Sequence, residues 1–164
     1  QRVTDSKVKV EGKERKIGKG LTLLVGFTHD DNIQDIDYMV KKIVNLRIFD
    51  DENGVMNKSL LDVGGSILSI SQFTLYADAC KGSRPSDVNG EILSISQFTL
   101  YAETKKGNRP SYIEAMEGSK ATKLYDVFNN KLKEYCHIET GIFGAEMLVS
   151  INNDGPVTII LESR

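Results

Sequence analysis

Residues 62–86 read DVGGSILSISQFTLYADACKGSRPS, and residues 87–111 then read DVNGEILSISQFTLYAETKKGNRPS. The two 25-residue copies agree at 19 positions and differ at six, far beyond coincidence. Each holds one strong strand, residues 67–77 or 92–102, rich in β-branched and aromatic side chains and ended by a Lys-Gly-x-Arg-Pro turn. Repeat architectures need three or more units to bury a continuous core, and no other segment shows this period, which argues against a solenoid. The sequence therefore predicts one domain over residues 1–164, with one strand slot and tandem copies, 62–86 and 87–111, to fill it. Lengthening a surface loop costs little closure entropy, about 0.6 kcal/mol per doubling, so a fold tolerates the extra copy.

Working outward, Val3, Val8 and Val10 alternate as in a strand, Glu11-Gly12-Lys13 makes a turn, and Arg15 to Ile17 returns. Gly18-Lys19-Gly20 breaks the chain before Leu21 to Phe27, an apolar run short enough for a buried strand. Asp30, Asp31 and Asn32 offer N-caps to a helix whose apolar face is Ile33, Ile36, Val40, Ile43 and Val44. Arg47-Ile48-Phe49 resumes a strand, and the Asn53-Gly54 dipeptide folds it back as a hairpin. Ala121, Leu124, Phe128, Leu132 and Tyr135 mark a second amphipathic helix with Ser119 as its cap. Strands at 146–151 and 157–161 close the chain around the turn Asn152 to Pro156. Strand clusters interrupted by two separated helices predict an α+β fold: a mostly antiparallel sheet, rolled toward a β-barrel, with two main helices outside.

The 164 residues, 40% hydrophobic, suffice for one core. No stretch reaches the roughly 18 apolar residues of a membrane helix, and the polar start, Gln1 to Lys7, lacks a signal peptide's apolar centre, so a cytoplasmic location and no membrane partner are expected. Cys80 and Cys136 fit no metal-ligand or disulfide framework and read as free thiols. A net charge of −2 argues against wrapping a nucleic-acid duplex, so no DNA partner is expected and any RNA contact should be local, as at Lys105, Lys106 and Arg109.

No GxSxG elbow, HExxH helix or Walker loop is present. His29 lies beside the helix caps and His137 past a helix end, and both read as structural or exposed rather than as triad members. No ligand spacing is seen, so no metal and no cofactor are expected. From the residues alone, Asp154-Gly155-Pro156 is an ordinary turn and the repeated strand is core packing.

Ser71 to Leu75, repeated as Ser96 to Leu100, together with the segment 153–158, NDGPVT, resembles the paired signatures of D-aminoacyl-tRNA deacylases. Segments 1–4, 45–49, 60–65 and 139–145 resemble the family at corresponding places in order, so the likeness covers nearly the whole chain. The family carries the Ser-Gln-Phe-Thr segment once and has a short strand ahead of Gln1. The resemblance implies a cytoplasmic esterase that hydrolyses D-aminoacyl-tRNA, and also mischarged glycyl-tRNA, as chiral proofreading in translation. It implies a homodimer in which a Gly-cis-Pro dipeptide, Gly155-Pro156 with Asn153 beside it, reaches the partner's pocket and rejects L-amino acids by steric clash. The catalytic strand would be Ser96, Gln97, Phe98 and Thr99, or the duplicate Ser71, Gln72, Phe73 and Thr74, with the Phe backbone N–H as oxyanion donor. Thr99 or Thr74 is the only candidate side-chain nucleophile, but no base adjoins it, and the family picture favours water assisted by the terminal ribose 2′-hydroxyl. The competing reading is a non-catalytic dimeric module that binds an RNA end, or acts as a scaffold, with its site disturbed by the duplicated strand.

Overall fold

The computed structural model describes residues 1–72 and 116–163. The second copy of the repeat lies outside them, as do Cys80 and the basic cluster Lys105, Lys106 and Arg109.

The chain opens with the expected hairpin. Strand β1 (Arg2–Val10) pairs antiparallel with β2 (Lys13–Ile17), and Glu11 and Gly12 take the positive φ of 49° and 72° that the tight turn requires. Strand β3 (Gly20–Val25) pairs with the start of β1, and helix α1 (Ile33–Val44) follows. Asn32 caps that helix, accepting the Gln34 N–H at 2.9 Å, while the Asn32 N–H donates to Asp35 Oδ2 at 3.0 Å. Strands β4 (Phe49–Asp50) and β5 (Met56–Lys58) form the small hairpin predicted around Asn53-Gly54. Then come β6 (Ser66–Ser71), α2 (Gly118–Lys133), β7 (Ile138–Thr140) and β8 (Leu148–Asn153).

Five strands run in the order β2-β1-β3-β6-β7, and β8 adds to the same sheet by pairing antiparallel with β1. The β3–β6 and β6–β7 pairs are parallel and the others antiparallel, so the sheet is mixed. Arg15 of β2 reaches across to donate to the Thr140 carbonyl at the end of β7, drawing the edges into a nearly closed barrel. The two helices cover the outer face. Leu21, Ile67, Ile36, Val40, Val44, Tyr125, Phe128 and Leu132 form the core beneath them, while Val3, Val8, Ile17, Leu68 and Ile70 fill the inside with Met147, Val149 and Ile151. Buried on both faces, Ile67 to Ile70 is a continuous buried run, as a strand with parallel neighbours requires.

Two local expectations are corrected, and one strand was not anticipated. Ser119 does not cap α2: Glu117 is the N-cap residue and makes no side-chain cap bond, and the Ser119 hydroxyl donates to Glu117 Oε1 at 2.8 Å. Residues 157–161 form no strand. A backbone bond runs from the Arg2 N–H to the Val157 carbonyl, and Val157 and Leu161 pack against the core cluster that holds Leu21 and Ile43. Strand β7 carries no alternating apolar pattern, yet it completes the parallel end of the sheet against β6.

Candidate functional site

Gly155 lies two residues beyond the end of β8 and has φ +120°, a conformation that favours glycine. A Cβ there would lie 2.9 Å from Val157 Cγ2 and 3.0 Å from the Val157 N, so the backbone can turn this tightly only without a side chain. The Gly155–Pro156 peptide is cis, and both residues are exposed. Asn153 stands two residues before Gly155, exposed, as the last residue of β8 opposite Val3 of β1.

The dipeptide is held by a residue that sequence reading did not single out. Arg2 is only 5% exposed. Its Nε donates to the Asp154 carbonyl at 3.1 Å and lies 3.2 Å from Asp154 Oδ2. Its Nη1 donates to the Ile48 carbonyl at 2.8 Å and to Asp50 Oδ1 at 3.3 Å. Backbone bonds close the same corner, Asp154 N–H to the Arg2 carbonyl and Arg2 N–H to the Val157 carbonyl, each 3.0 Å. One guanidinium thus ties the end of β8, the start of β1 and the β4 segment together, using the planar fork that lysine lacks. Only the order of segments hinted at this, since Arg2, Asp50 and Asp154 are far apart in sequence.

Ser71 and Gln72 lie at the C-terminal end of β6. Ser71 pairs with Val25, and the Gln72 N–H donates to the Val25 carbonyl at 2.7 Å. Two groups fasten the preceding turn of the strand: the Ser69 carbonyl accepts both the Tyr125 hydroxyl at 2.7 Å and the Gly141 N–H at 2.9 Å. Burial raises the Tyr125 pKa, and its ring sits 6.2 Å from that of Phe143. Gly141 allows close approach, since a Cβ there would fall 2.5 Å from Met147 Sδ. The strand slot is therefore filled by the first copy. Phe73 and Thr74 lie outside the described residues, as do Ser96, Gln97, Phe98 and Thr99.

Among the described residues, the Ser71 end of β6 and the Gly155 corner stand apart in one chain. Arg2, which holds Gly155, pairs with Leu21, whereas Ser71 pairs with Val25. Four strand residues, about 13 Å along β3, separate those positions. Of the histidines, His29 is exposed, and His137 is exposed with its Nε2 3.5 Å from Glu139 Oε1. Cys136 is a half-buried free thiol whose pKa burial pushes up. Among the described residues no group of three His, Cys, Asp or Glu is placed to hold a metal, and no helix is long and apolar enough to cross a membrane.

A helix-covered, nearly closed α+β barrel, with a glycine-proline corner clamped by a buried arginine, defines the class. The chain belongs to the D-Tyr-tRNA(Tyr) deacylase family, which matches residues 1–86 and 86–162. The two matches meet at Ser86, the last residue of the first copy, so each contains one copy. The chain is 49% identical over 166 aligned residues to a D-aminoacyl-tRNA deacylase of Clostridium novyi, covering all of this chain and 95% of that one. It is 46% identical over 165 to one of Kosmotoga olearia, with the same coverage. A solved structure titled c-Myc DNA Unwinding Element Binding Protein superposes with TM-score 0.76 at 37% identity, covering 100% of this chain and 96% of that one. A probable eukaryotic D-amino acid tRNA deacylase shares the fold, with TM-score 0.65 at 14% identity over 93% and 90% of the two chains.

Proposed function

We propose that this protein hydrolyses the ester bond of D-aminoacyl-tRNA, using the Gly155-Pro156 corner as a chiral gauge. The observation that carries the reading is that exposed corner, clamped by Arg2, in a chain 46–49% identical along its whole length to proteins named D-aminoacyl-tRNA deacylase. A bare backbone at this point admits a substrate whose α-carbon presents hydrogen toward it. An L side chain projects into the same space and clashes, while D-amino acids pass and glycine has nothing to reject.

The hydrolytic half is assigned to the strand that continues from β6. Ser71 and Gln72 line the pocket, and the backbone N–H of Phe73 stabilises the oxyanion that develops as water attacks the ester carbon. Phe98 would hold that role wherever the second copy, with Ser96, Gln97 and Thr99, fills the slot. Thr74 or Thr99 orients substrate rather than attacking it, because a threonine nucleophile needs an adjacent base. The separation of Gly155 from Ser71 along β3 supports a homodimer in which each corner completes the partner's pocket. The net charge of −2 supports a contact confined to the aminoacylated 3′ end and its surroundings rather than DNA binding, and the tRNA substrate supports a cytoplasmic setting.

The test is release of amino acid from D-aminoacyl-tRNA, its L counterpart and glycyl-tRNA. Cleavage of the D and glycyl esters with the L ester spared is expected. Binding of the acceptor end without release above background would favour the non-catalytic module, and equal cleavage of D and L esters would remove the gauge.

A further inference from the structure

We propose that the hollow at the C-terminal end of α1, lined by Tyr38, Lys41, Lys42, Asn45, Leu46 and Arg47, docks the phosphodiester backbone of the tRNA. The proposal rests on the tRNA reading above. The hollow is shallow and open, with about 480 Å³ of accessible space, and among the described residues no carboxylate lines it. Leu46 and the Tyr38 ring, the latter 48% exposed, give it apolar surface, and Lys42 Nζ lies 5.8 Å from that ring's centroid. Arg47 is oriented by its Nε, which donates to the Asn57 carbonyl at 2.8 Å.

Several cations elsewhere are paired with carboxylates, whereas, among the described residues, those around the hollow are not. Lys131 is 2.6 Å from Asp37, Lys7 and Lys9 are 3.4 and 3.5 Å from Glu14, and Lys58 pairs with Glu52. Among the described residues, Lys41, Lys42 and Arg47 form no such ion pair, although the chain as a whole is acidic. Lysines in a last helical turn complement the helix dipole. That role does not account for the convergence of two lysines, an arginine and an exposed tyrosine on one hollow. Three cations around an apolar surface fit a sugar-phosphate chain, which offers anionic oxygens beside a ribose face.

Position supports the assignment. Arg47 precedes Ile48, whose carbonyl accepts from the same Arg2 guanidinium that holds the Asp154-Gly155 corner. A nucleic acid whose 3′ end lies at that corner has its backbone within reach of this surface.

The experiment compares the wild-type protein with Lys41→Gln/Lys42→Gln, the same pair plus Arg47→Gln, and a control, Lys13→Gln/Lys16→Gln, on the β2 hairpin. Equilibrium binding of uncharged tRNA is measured from low to moderate salt, and hydrolysis is measured on D-aminoacyl-tRNA and on D-aminoacyl-adenosine. The triple variant should bind tRNA about tenfold or more weakly at low salt, with a log–log salt slope shallower by about two. It should cleave D-aminoacyl-adenosine at the wild-type rate, and the control pair should match wild type throughout. An unchanged tRNA affinity and slope would overturn the proposal, as would an equal loss on the adenosine ester, which would mean disturbed folding. Because binding is read with uncharged tRNA, a wild-type protein that cleaves neither ester would remove the hydrolase reading while binding still decides this one.

Discussion

The Gly155-Pro156 corner and the end of β6 are built in opposite ways. The corner is exposed and is fastened mainly by one buried side chain, Arg2, reaching three separate segments. The β6 end is fastened by its ladders to β3 and β7, with Tyr125 adding one bond from the helix. Under the proposed function a gauge must present bare backbone to a ligand, so it cannot be buried in a sheet, while a strand proposed to aim a backbone N–H needs the sheet's rigidity. Damage should accordingly be concentrated in a single residue at the corner and distributed at the strand.

The largest expected effect is at Arg2. Arg2→Gln removes charge-assisted bonds to two carbonyls and leaves Asp50 and Asp154 close together without their shared cation. Both carboxylates are partly solvated, so the loss should be about 2–4 kcal/mol, read by urea unfolding, with D-ester cleavage falling at least tenfold. Stability within 0.5 kcal/mol of wild type, an order-of-magnitude threshold for a surface change, would show that the corner is held by its backbone bonds instead.

Gly155→Ala comes next. At φ +120° with Val157 at 2.9–3.0 Å, an alanine must distort the corner, at a cost of about 1–3 kcal/mol. The corner is exposed, so the distortion should stay local, and the main readout is the ratio of D to L cleavage, which should fall. An unchanged ratio would show that another element does the discriminating.

Much of the scaffold was legible in sequence, because local chemistry decides it. Asn32 is among the N-cap candidates and caps α1, the apolar spacing of Ile36, Val40 and Ile43 marks its buried face, and Asn53-Gly54 marks the hairpin. The misreadings came where tertiary contacts override local pattern. The apolar run 157–161 reads as a strand, yet its Val157 and Leu161 pack against the core that holds Leu21 and Ile43 from an irregular path. Ile138-Glu139-Thr140 is too short and polar to read as a strand, yet β6 needs a second parallel neighbour. At the site, the Gly-Pro corner was legible through its resemblance to a family, but the Arg2 clamp was not, because its partners lie 46 and 152 residues away. Tyr125 had a usable signal: it falls four residues after Ala121 and three before Phe128 on the buried face of α2.

A milder change probes the strand side. Tyr125→Phe keeps the ring against Phe143 and leaves Ser69 its bond from Gly141, so about 1 kcal/mol should be lost at neutral pH. The Tyr125 pKa is raised in the folded protein by burial, so its contribution is full below the unfolded tyrosine value and declines as pH rises through that value toward the folded one. Between those two values the wild type should lose up to about 1.4 kcal/mol per pH unit that Tyr125→Phe does not lose. Parallel stability curves for the two proteins above about pH 10 would show that the hydroxyl is not held neutral by the fold.

The smallest expected effect comes from removing either copy of the repeat. The first copy supplies β6, whose buried residues Ile67, Leu68, Ser69 and Ile70 recur as Ile92, Leu93, Ser94 and Ile95. Gly65, where a Cβ would lie 2.6 Å from Leu60 Cδ1, recurs as Gly90. Gly64, at φ +58° with open space around it, becomes Asn89, a residue that tolerates the left-handed region. Deleting 62–86 also joins Leu61 to Asp87, three residues after Ser59. Asp87 then inherits the N–H and hydroxyl bonds at 2.8 and 2.7 Å that hold the Asp62 carboxyl below its ordinary pKa. Either 139-residue chain should therefore fold with stability within about 1 kcal/mol of the other and cleave the D ester alike, measured by urea unfolding and D-aminoacyl-tRNA hydrolysis. If only the chain lacking 87–111 folds, then Ser66→Glu or Gly64→Asn is not tolerated in the slot, and the strand side depends on single residues just as the corner depends on Arg2.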